Sequence, residues 1–150
     1  MTAYRVEIIA VGTELLLGNV ANTDAQFLSE MLASVGVDVL YHTAVGDNPA
    51  RLREVVDIAR GRANLLVFTG GLGPTYDDMT KQIVCEAFGL GLEFHPEIVE
   101  EIRHYFDTVF RREMPACNLQ QAYLPRGCTV LHNPVGTAPG CIFETGGVTA

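Results

Sequence analysis

Two carboxylates follow three glycines within one short segment, Thr69-Gly70-Gly71-Leu72-Gly73-Pro74-Thr75-Tyr76-Asp77-Asp78. Glycines at a strand-to-helix turn allow backbone N–H groups to approach an anion, and the N-terminus of the following helix favours negative charge. The segment could therefore bind a phosphate group. A tight turn that needs positive φ at its glycines explains the same pattern equally well, so both interpretations stay open.

The pair Asp77 and Asp78 points to a metal ion. One of the two carboxylates could cap the following helix, but the second would repel a phosphate unless a hard cation bridged them. The pair therefore favours a divalent ion such as Mg²⁺ over simple capping. Lys81, one helical turn further, could neutralise a ligand phosphate or could be an ordinary solvated lysine.

Further candidate residues follow other predicted strands. Glu14 is a lone acid among apolar residues after Val11-Gly12-Thr13, and we expect it to face the site. Asp47 has the equivalent place after the second strand, where a role in the site and helix capping are equally open. The loop Asn133–Gly140 contains Gly136, Thr137 and Ala138, and it could close over a ligand or simply connect two strands.

Several other chemistries are excluded by missing motifs. The chain lacks G-x-x-x-x-G-K-[ST], a first-turn G-x-G-x-x-G, H-E-x-x-H and G-x-S-x-G. A P-loop, a nicotinamide dinucleotide fold, a histidine-bound zinc site and a serine hydrolase are therefore disfavoured. The four cysteines have no C-x-x-C spacing, so we interpret them as buried or incidental thiols.

Charge and hydropathy restrict the partners. The net charge of −8 repels nucleic acid, so the charge of a phosphorylated ligand must be met by backbone amides, a helix terminus or a metal ion. No apolar run approaches the roughly 18 residues that span a bilayer. Arg5 and Glu7 interrupt the apolar stretch of residues 1–11, which argues against a secretory leader. We expect a soluble, cytoplasmic domain with a small-molecule partner and no membrane partner.

The elements that must position these residues alternate along the chain. The pattern predicts strands at 4–11, 37–43 and 65–69 and helices at 23–35 and 49–60. It also predicts a helix from about 78, a helix over 97–112 and a strand over 141–144. Thr23 opens a capping box with Gln26, and Asn48 precedes Pro49 as a second N-cap. The β-α alternation predicts a mainly parallel sheet with helices on both faces and a site at the carboxyl ends of the strands.

The length of 150 residues suits one domain, 1–150. Gly146-Gly147 predicts a hairpin turn, and Val148 would begin the returning strand. The chain would then stop within an element, so we expect a domain cut from a longer protein.

Three segments together resemble a known family: Gly12–Gly18 with Asn22-Thr23, Thr69–Asp78, and Asn133–Gly140. They are similar in order and spacing to the N-terminal domain of the competence/damage-inducible CinA family, within the molybdopterin-binding superfamily of molybdenum-cofactor biosynthesis. The similarity covers essentially the whole chain. It implies a three-layer α/β/α fold with its site at the glycine loop. It also implies a homo-oligomer.

The resemblance further implies metal-dependent ADP-ribose pyrophosphatase activity, with Mg²⁺ or Co²⁺ as the metal. Asp78 and Asp47 match catalytic aspartates, and Asp77, Asp78 and Glu14 are the candidate metal ligands. The expected ligand-binding residues are Gly12, Thr13, Glu14, Thr69, Gly70, Gly71, Gly73, Pro74, Thr75, Lys81, Gly136, Thr137 and Ala138. The alternative function is a molybdopterin-binding or adenylylating module that does not hydrolyse its ligand.

Two departures accompany the resemblance. The deamidase domain of the family is absent, so deamidation is not expected of this chain. The stretch Leu-Pro-Gly-Val-Pro-x-Glu-Met that normally follows the last strands is also missing, which predicts an incomplete pocket.

Overall fold

Strand β1 (Val6–Val11) is apolar except for Glu7, and all six of its residues are buried. A strand with both faces covered is typical of the centre of a parallel sheet. The computed structural model describes residues 4–150. Residues 1–3 of the stretch 1–11, from which the absence of a secretory leader is predicted, lie outside the described residues. The chain forms two compact units, one of residues up to 71 with 144–150 and one of residues 72–143.

The first unit is built on a five-stranded sheet with the strand order β2-β1-β3-β9-β8. Its elements are β1, α1 (Thr13–Leu16), α2 (Thr23–Ser34), β2 (Val39–Val45), α3 (Pro49–Arg62), β3 (Leu65–Thr69), β8 (Glu144–Thr145) and β9 (Val148–Thr149). All the strand pairs are parallel except β8 with β9. The predicted mainly parallel sheet is therefore confirmed.

Helices cover both faces of this sheet. Ala25 of α2 lies in one buried cluster with Val6 and Ile8, on one side of β1. Successive side chains alternate between faces, so Glu7 points to the other side. There, the guanidinium of Arg62 in α3 makes two hydrogen bonds to its carboxylate, of 2.8 and 2.6 Å. The first unit therefore has the predicted three layers.

Glu7 is fully buried because three donors satisfy its carboxylate. Besides Arg62, the hydroxyl of Thr43 donates to Glu7 Oε1 over 2.7 Å. Burial alone would raise the pKa of Glu7, but the hydrogen bonds from Arg62 and Thr43 outweigh it and hold the pKa below its usual range. The guanidinium also lies 4.0 Å from the centre of the Tyr41 ring. This group links β1, β2 and α3 by charge as well as by packing.

The second unit contains two small antiparallel sheets, β4 with β5 and β6 with β7. Its elements are α4 (Thr80–Phe88), β4 (Leu92–Phe94), α5 (Pro96–Tyr105), a π-helical turn (Phe106–Phe110), a 3₁₀ segment (Ala116–Ala122), β5 (Tyr123–Pro125), β6 (Thr129–Leu131) and β7 (Gly140–Ile142). Ile98, Ile102, Phe106 and Leu124 centre its core. Within residues 4–150, no helix is long and apolar enough to cross a membrane.

Several predicted boundaries need correction. Helix α2 is capped by Asn22, whose side chain accepts from the N–H of Ala25, and not by Thr23. Strand β2 lies two residues later than predicted, and α3 continues through Gly61 because its C-terminal turn carries the Arg62–Glu7 ion pair. The predicted helix over 97–112 is regular only to Tyr105. Strand β3 and the hairpin at Gly146-Gly147 are confirmed.

Candidate functional site

In the first unit, the loops that follow β1 and β2 are joined by a reciprocal pair of hydrogen bonds. The N–H of Thr13 donates to Asp47 Oδ2 over 2.9 Å, and the N–H of Asp47 donates to Thr13 Oγ1 over 3.1 Å. Helix α3 is capped by Asn48, which accepts from the N–H of Arg51. Capping of α3 by Asp47 is therefore wrong, since its carboxylate accepts from the N–H of Thr13 at the start of α1.

The same unit contains a cavity of about 250 Å³ that brings three predicted residues together, Glu14, Thr69 and Gly70. Three polar residues around the start of α2 also line it, namely Asn22, Thr23 and Asp24. Glu14 folds back over Gly12, where any Cβ would collide with its carboxylate. A larger residue at position 12 would therefore displace the Glu14 side chain.

Gly70 and Gly71 have φ values of 82° and 61°, in the left-handed region that favours glycine. A Cβ at Gly70 would also collide with the carbonyl oxygen of Val11. The interpretation as a turn that needs positive φ is therefore confirmed for both residues. Their part in ligand binding stays a prediction.

In the second unit, Asp78 organises the turn that begins at Gly73 and Pro74. Its Oδ2 accepts hydrogen bonds from the N–H of Thr75, over 2.8 Å, and from the Thr75 hydroxyl. A Cβ at Gly73 would lie 2.6 Å from the same oxygen. Helix α4 starts only at Thr80 with Met79 at its N-cap, so Asp78 closes the preceding turn and is not the predicted helix cap.

The turn keeps Asp78 ionised. Burial would raise the pKa of its carboxyl, but the hydrogen bonds from Thr75 and from the backbone of Gly73 outweigh that effect and lower the pKa. Asp77, the residue before it, is exposed. The turn therefore presents two adjacent carboxylates, one of them held in fixed geometry.

Lys81 is the second residue of α4. Its Nζ donates to the main-chain oxygen of Gln121 over 2.9 Å, and burial lowers the pKa of the amine. The alternative of an ordinary solvated lysine is therefore wrong. Lys81 and Asp78 both line a cavity of about 510 Å³, together with Tyr76, Gln120 and Tyr123. A half-buried cation and an ionised carboxylate thus share one cavity.

The 3₁₀ segment supports this turn with three amide side chains that the sequence reasoning missed. Gln120 Nε2 donates to the carbonyls of Thr75 and Asp78 over 3.1 and 3.2 Å. Gln121 Nε2 donates to the carbonyl of Leu72 over 3.4 Å, and its Oε1 accepts from Asn118 over 2.8 Å. Asn118 and Gln121 are buried. A run of amides next to the apolar Ala122 is the signal that could have identified them.

The loop over 133–140 belongs to a different cavity of the second unit, of about 640 Å³. Gly136 and Thr137 line it opposite residues of α5, whereas Asp78 and Lys81 do not. Asn133 fixes the loop by donating from Nδ2 to Ala138 O over 2.9 Å and accepting from the N–H of Val135. Binding of a ligand by Gly136, Thr137 and Ala138 stays a prediction.

Comparison with known proteins supplies the context for these sites. The family described as "probable molybdopterin binding domain" matches residues 7–149. A putative competence-damage inducible protein of Acetivibrio thermocellus is 52% identical over 141 residues, which are 94% of this chain and 34% of that protein. This chain thus spans about a third of that relative's length.

Solved structures give the same picture. The protein CinA from Thermoplasma acidophilum superimposes with a TM-score of 0.86 at 32% identity, covering 98% of this chain and 85% of that one. A molybdopterin biosynthesis protein from Mycobacterium abscessus gives a TM-score of 0.57 at 20% identity, with 97% and 77% covered. At that identity, the second likeness concerns the fold alone.

Proposed function

Because the chain belongs to the molybdopterin-binding domain family, among its CinA-like members, we propose that it is the nucleotide-binding domain of a metal-dependent hydrolase. The proposed reaction is cleavage of the diphosphate bond of ADP-ribose or a similar nucleotide. The observation that carries the proposal is the cavity of the second unit, which is lined by an ionised carboxylate, Asp78, and a half-buried amine, Lys81. That combination suits a phosphorylated ligand that arrives with a divalent cation.

The acidic residues fit a magnesium-type ion. Mg²⁺ is commonly held by one or two carboxylates together with substrate phosphates and water. Asp78 and Asp77 supply two adjacent carboxylates, and within residues 4–150 no group of three or more histidine, cysteine or acidic side chains is placed to hold an ion. Phosphate oxygens would therefore complete the coordination. Bound there, Mg²⁺ or Co²⁺ would polarise the diphosphate and lower the pKa of a bound water molecule.

The side chains of the second unit have distinct parts in this reaction. Lys81 would bind a phosphate oxygen, because Gln121 uses only one of its three donors. Asp78 would hold the cation while Thr75 keeps its carboxylate oriented. Water adds to one phosphorus as the bridging P–O bond breaks, so ADP-ribose and water give AMP and ribose 5-phosphate. Preorganised charges of this kind are the main source of catalysis in phosphoryl chemistry.

The first unit would contribute binding through Glu14, Thr69 and Gly70, which line its own cavity. Asp47 holds the amide of Thr13, so we propose that it positions the start of α1 after β1.

The test is release of AMP from ADP-ribose, measured with Mg²⁺, with Co²⁺ and with chelator. Asp78→Asn keeps the size of the side chain but removes its charge, and it should lower kcat by at least about 100-fold on the scale of other charge-stabilising groups. Lys81→Met should raise KM. Lys81 and Asp78 variants with wild-type turnover in the presence of metal would overturn the assignment. Arg53→Met, an exposed cation of α3, serves as the matched control.

A second candidate function is binding of molybdopterin without turnover, and the description of the matching family favours it. Titration with a pterin phosphate in chelator distinguishes the two. Tight binding of the pterin phosphate without metal, together with no hydrolysis of ADP-ribose, would favour the binding module.

A further inference from the structure

We propose that Tyr76 and Tyr123 form a stacking surface for the flat heterocycle of the ligand, so that the site selects base-bearing nucleotides over sugar phosphates. The inference rests on the proposed function, because it concerns the same cavity of the second unit. It adds the part of the ligand that is recognised beyond the phosphates.

Tyr76 is the most exposed large hydrophobic side chain of the described residues, at 93%. It lies on the turn that Asp78 fixes through Thr75, and it lines the cavity of Asp78 and Lys81. Single exposed aromatics on a surface need no explanation. An aromatic ring on an anchored turn, at a cavity that also contains a cation, is placed to contact whatever ligand the cation holds.

Tyr123 supplies a second ring to the same cavity. It is the first residue of β5, and 44% of its surface is exposed. Its ring packs against Phe94 with the centroids 5.2 Å apart and the planes inclined by 52°. The partner strand thus fixes Tyr123, so little conformational freedom is lost when a ligand packs on its remaining face.

The rest of the lining offers two kinds of chemistry, a cation and apolar surface. Lys81 is the only lysine or arginine among the described residues that line it, so the phosphate end of a ligand is placed there. Leu92, Met79 and Ala116 line it as well and provide apolar surface. A ligand with an anionic end and a flat aromatic end satisfies both parts. Tyrosine stacks on any π face, so the surface selects for the presence of a base more than for its identity.

The experiment compares the Kd of AMP with that of ribose 5-phosphate by titration calorimetry, for the wild type, Tyr76→Ala, Tyr76→Phe and Tyr123→Ala. We expect the wild type to bind AMP more tightly than ribose 5-phosphate. Tyr76→Ala should raise the Kd of AMP by roughly 5- to 100-fold, the usual range for loss of one aromatic stacking partner, and leave the Kd of ribose 5-phosphate unchanged. Tyr76→Phe should retain AMP binding. Tyr4→Ala, an exposed tyrosine of the first unit, is the control.

Cys117 gives a second readout that places the ligand in this cavity. It is exposed and lines the cavity, so bound AMP should slow its alkylation by iodoacetamide in the wild type. The protection should be lost in Tyr76→Ala at the same AMP concentration. Protection that persists in that variant contradicts the inference.

The outcomes separate the two proposals. If Tyr76→Ala binds AMP as the wild type does, or loses AMP and ribose 5-phosphate equally, the stacking surface is wrong even when ADP-ribose is hydrolysed. If ADP-ribose is inert but AMP affinity depends on Tyr76, the hydrolase is wrong and the stacking surface stands. A wild type that binds AMP no better than ribose 5-phosphate overturns the stacking surface directly.

Discussion

Two glycines in this chain lie directly against a carboxylate side chain. Gly73 leaves room for Asp78, and Gly12 leaves room for Glu14. The carboxylate of Asp78 is also held by Thr75, so this acid has a defined position before any ligand arrives. Such preorganisation is what a charge-stabilising site requires.

The pH dependence of stability should reveal the ionised state of Asp78. Its pKa is lower in the folded protein than in the unfolded chain. Its contribution to the free energy of unfolding is therefore complete above the unfolded pKa of about 3.9 and is lost as pH falls through the folded pKa. We expect Asp78→Asn to have a lower Tm than the wild type at pH 7 and the difference to shrink below about pH 4. Calorimetry across pH 2–8 measures it, with Asp77→Asn as control. A difference that does not depend on pH would contradict this.

Glu7 and Arg62 should show strong coupling. Arg62→Ala leaves a carboxylate buried without its main partner, which should lower the Tm by roughly 5 °C or more. The double variant Glu7→Gln, Arg62→Ala should recover part of the loss because a neutral amide costs less to bury. Thermal unfolding of the four proteins completes the cycle. Additive effects of the two substitutions would show that the pair is not coupled.

At the scale of elements, the helix caps provide a sharp test of α2. Asn22 accepts from the N–H of Ala25, whereas Thr23 is already inside the helix. Asn22→Ala should therefore cost about 1 kcal/mol of unfolding free energy, and Thr23→Ala clearly less. Urea denaturation of both variants decides between the two caps. A larger loss for Thr23→Ala than for Asn22→Ala would contradict Asn22 as the cap.

The 3₁₀ segment should control the order of the turn over 72–78. Gln121→Leu removes the donor to Leu72 and the acceptor of Asn118, and it should cost about 1–3 kcal/mol. Amide hydrogen exchange over residues 72–78 should become faster. Leu119→Ala, which changes an exposed position of the same segment, should leave that exchange unchanged. If both variants behave alike, the amides do not support the turn.

How well the sequence predicts each element depends on the range of the forces that form it. Strand β3 is a continuous apolar run that ends at two glycines, and both its composition and its end are visible in the sequence. Its limits therefore agree with the prediction. The three-residue strands β4 and β6 are too short to show any periodicity, and they were missed. Asp78 is predicted as a site residue from its place after the glycines, but its bond to Thr75 and the support from Gln120 depend on contacts that spacing does not encode.

At the scale of the whole molecule, the thiols should react in a defined order. Burial raises the pKa of Cys85 and of Cys141 to about 11, so at neutral pH both are almost entirely protonated and unreactive. Cys117 is exposed. We expect iodoacetamide to modify Cys117 first and the other two only as the protein unfolds, as followed by mass spectrometry. Early modification of Cys85 would contradict the predicted order.

The sheet of the first unit is completed from distant parts of the chain, since Leu65 in β3 pairs with Thr149 in β9. All of the second unit is synthesised between these two strands. During synthesis, β1, β2 and β3 leave the ribosome before β9, so the edge of β3 stays unpaired until Thr149 has been made. Contacts with such long sequence separation slow folding, because the entropy of closing the loop is lost before the pairing is gained. The rate of folding in the cell should therefore depend on how quickly this strand edge is covered.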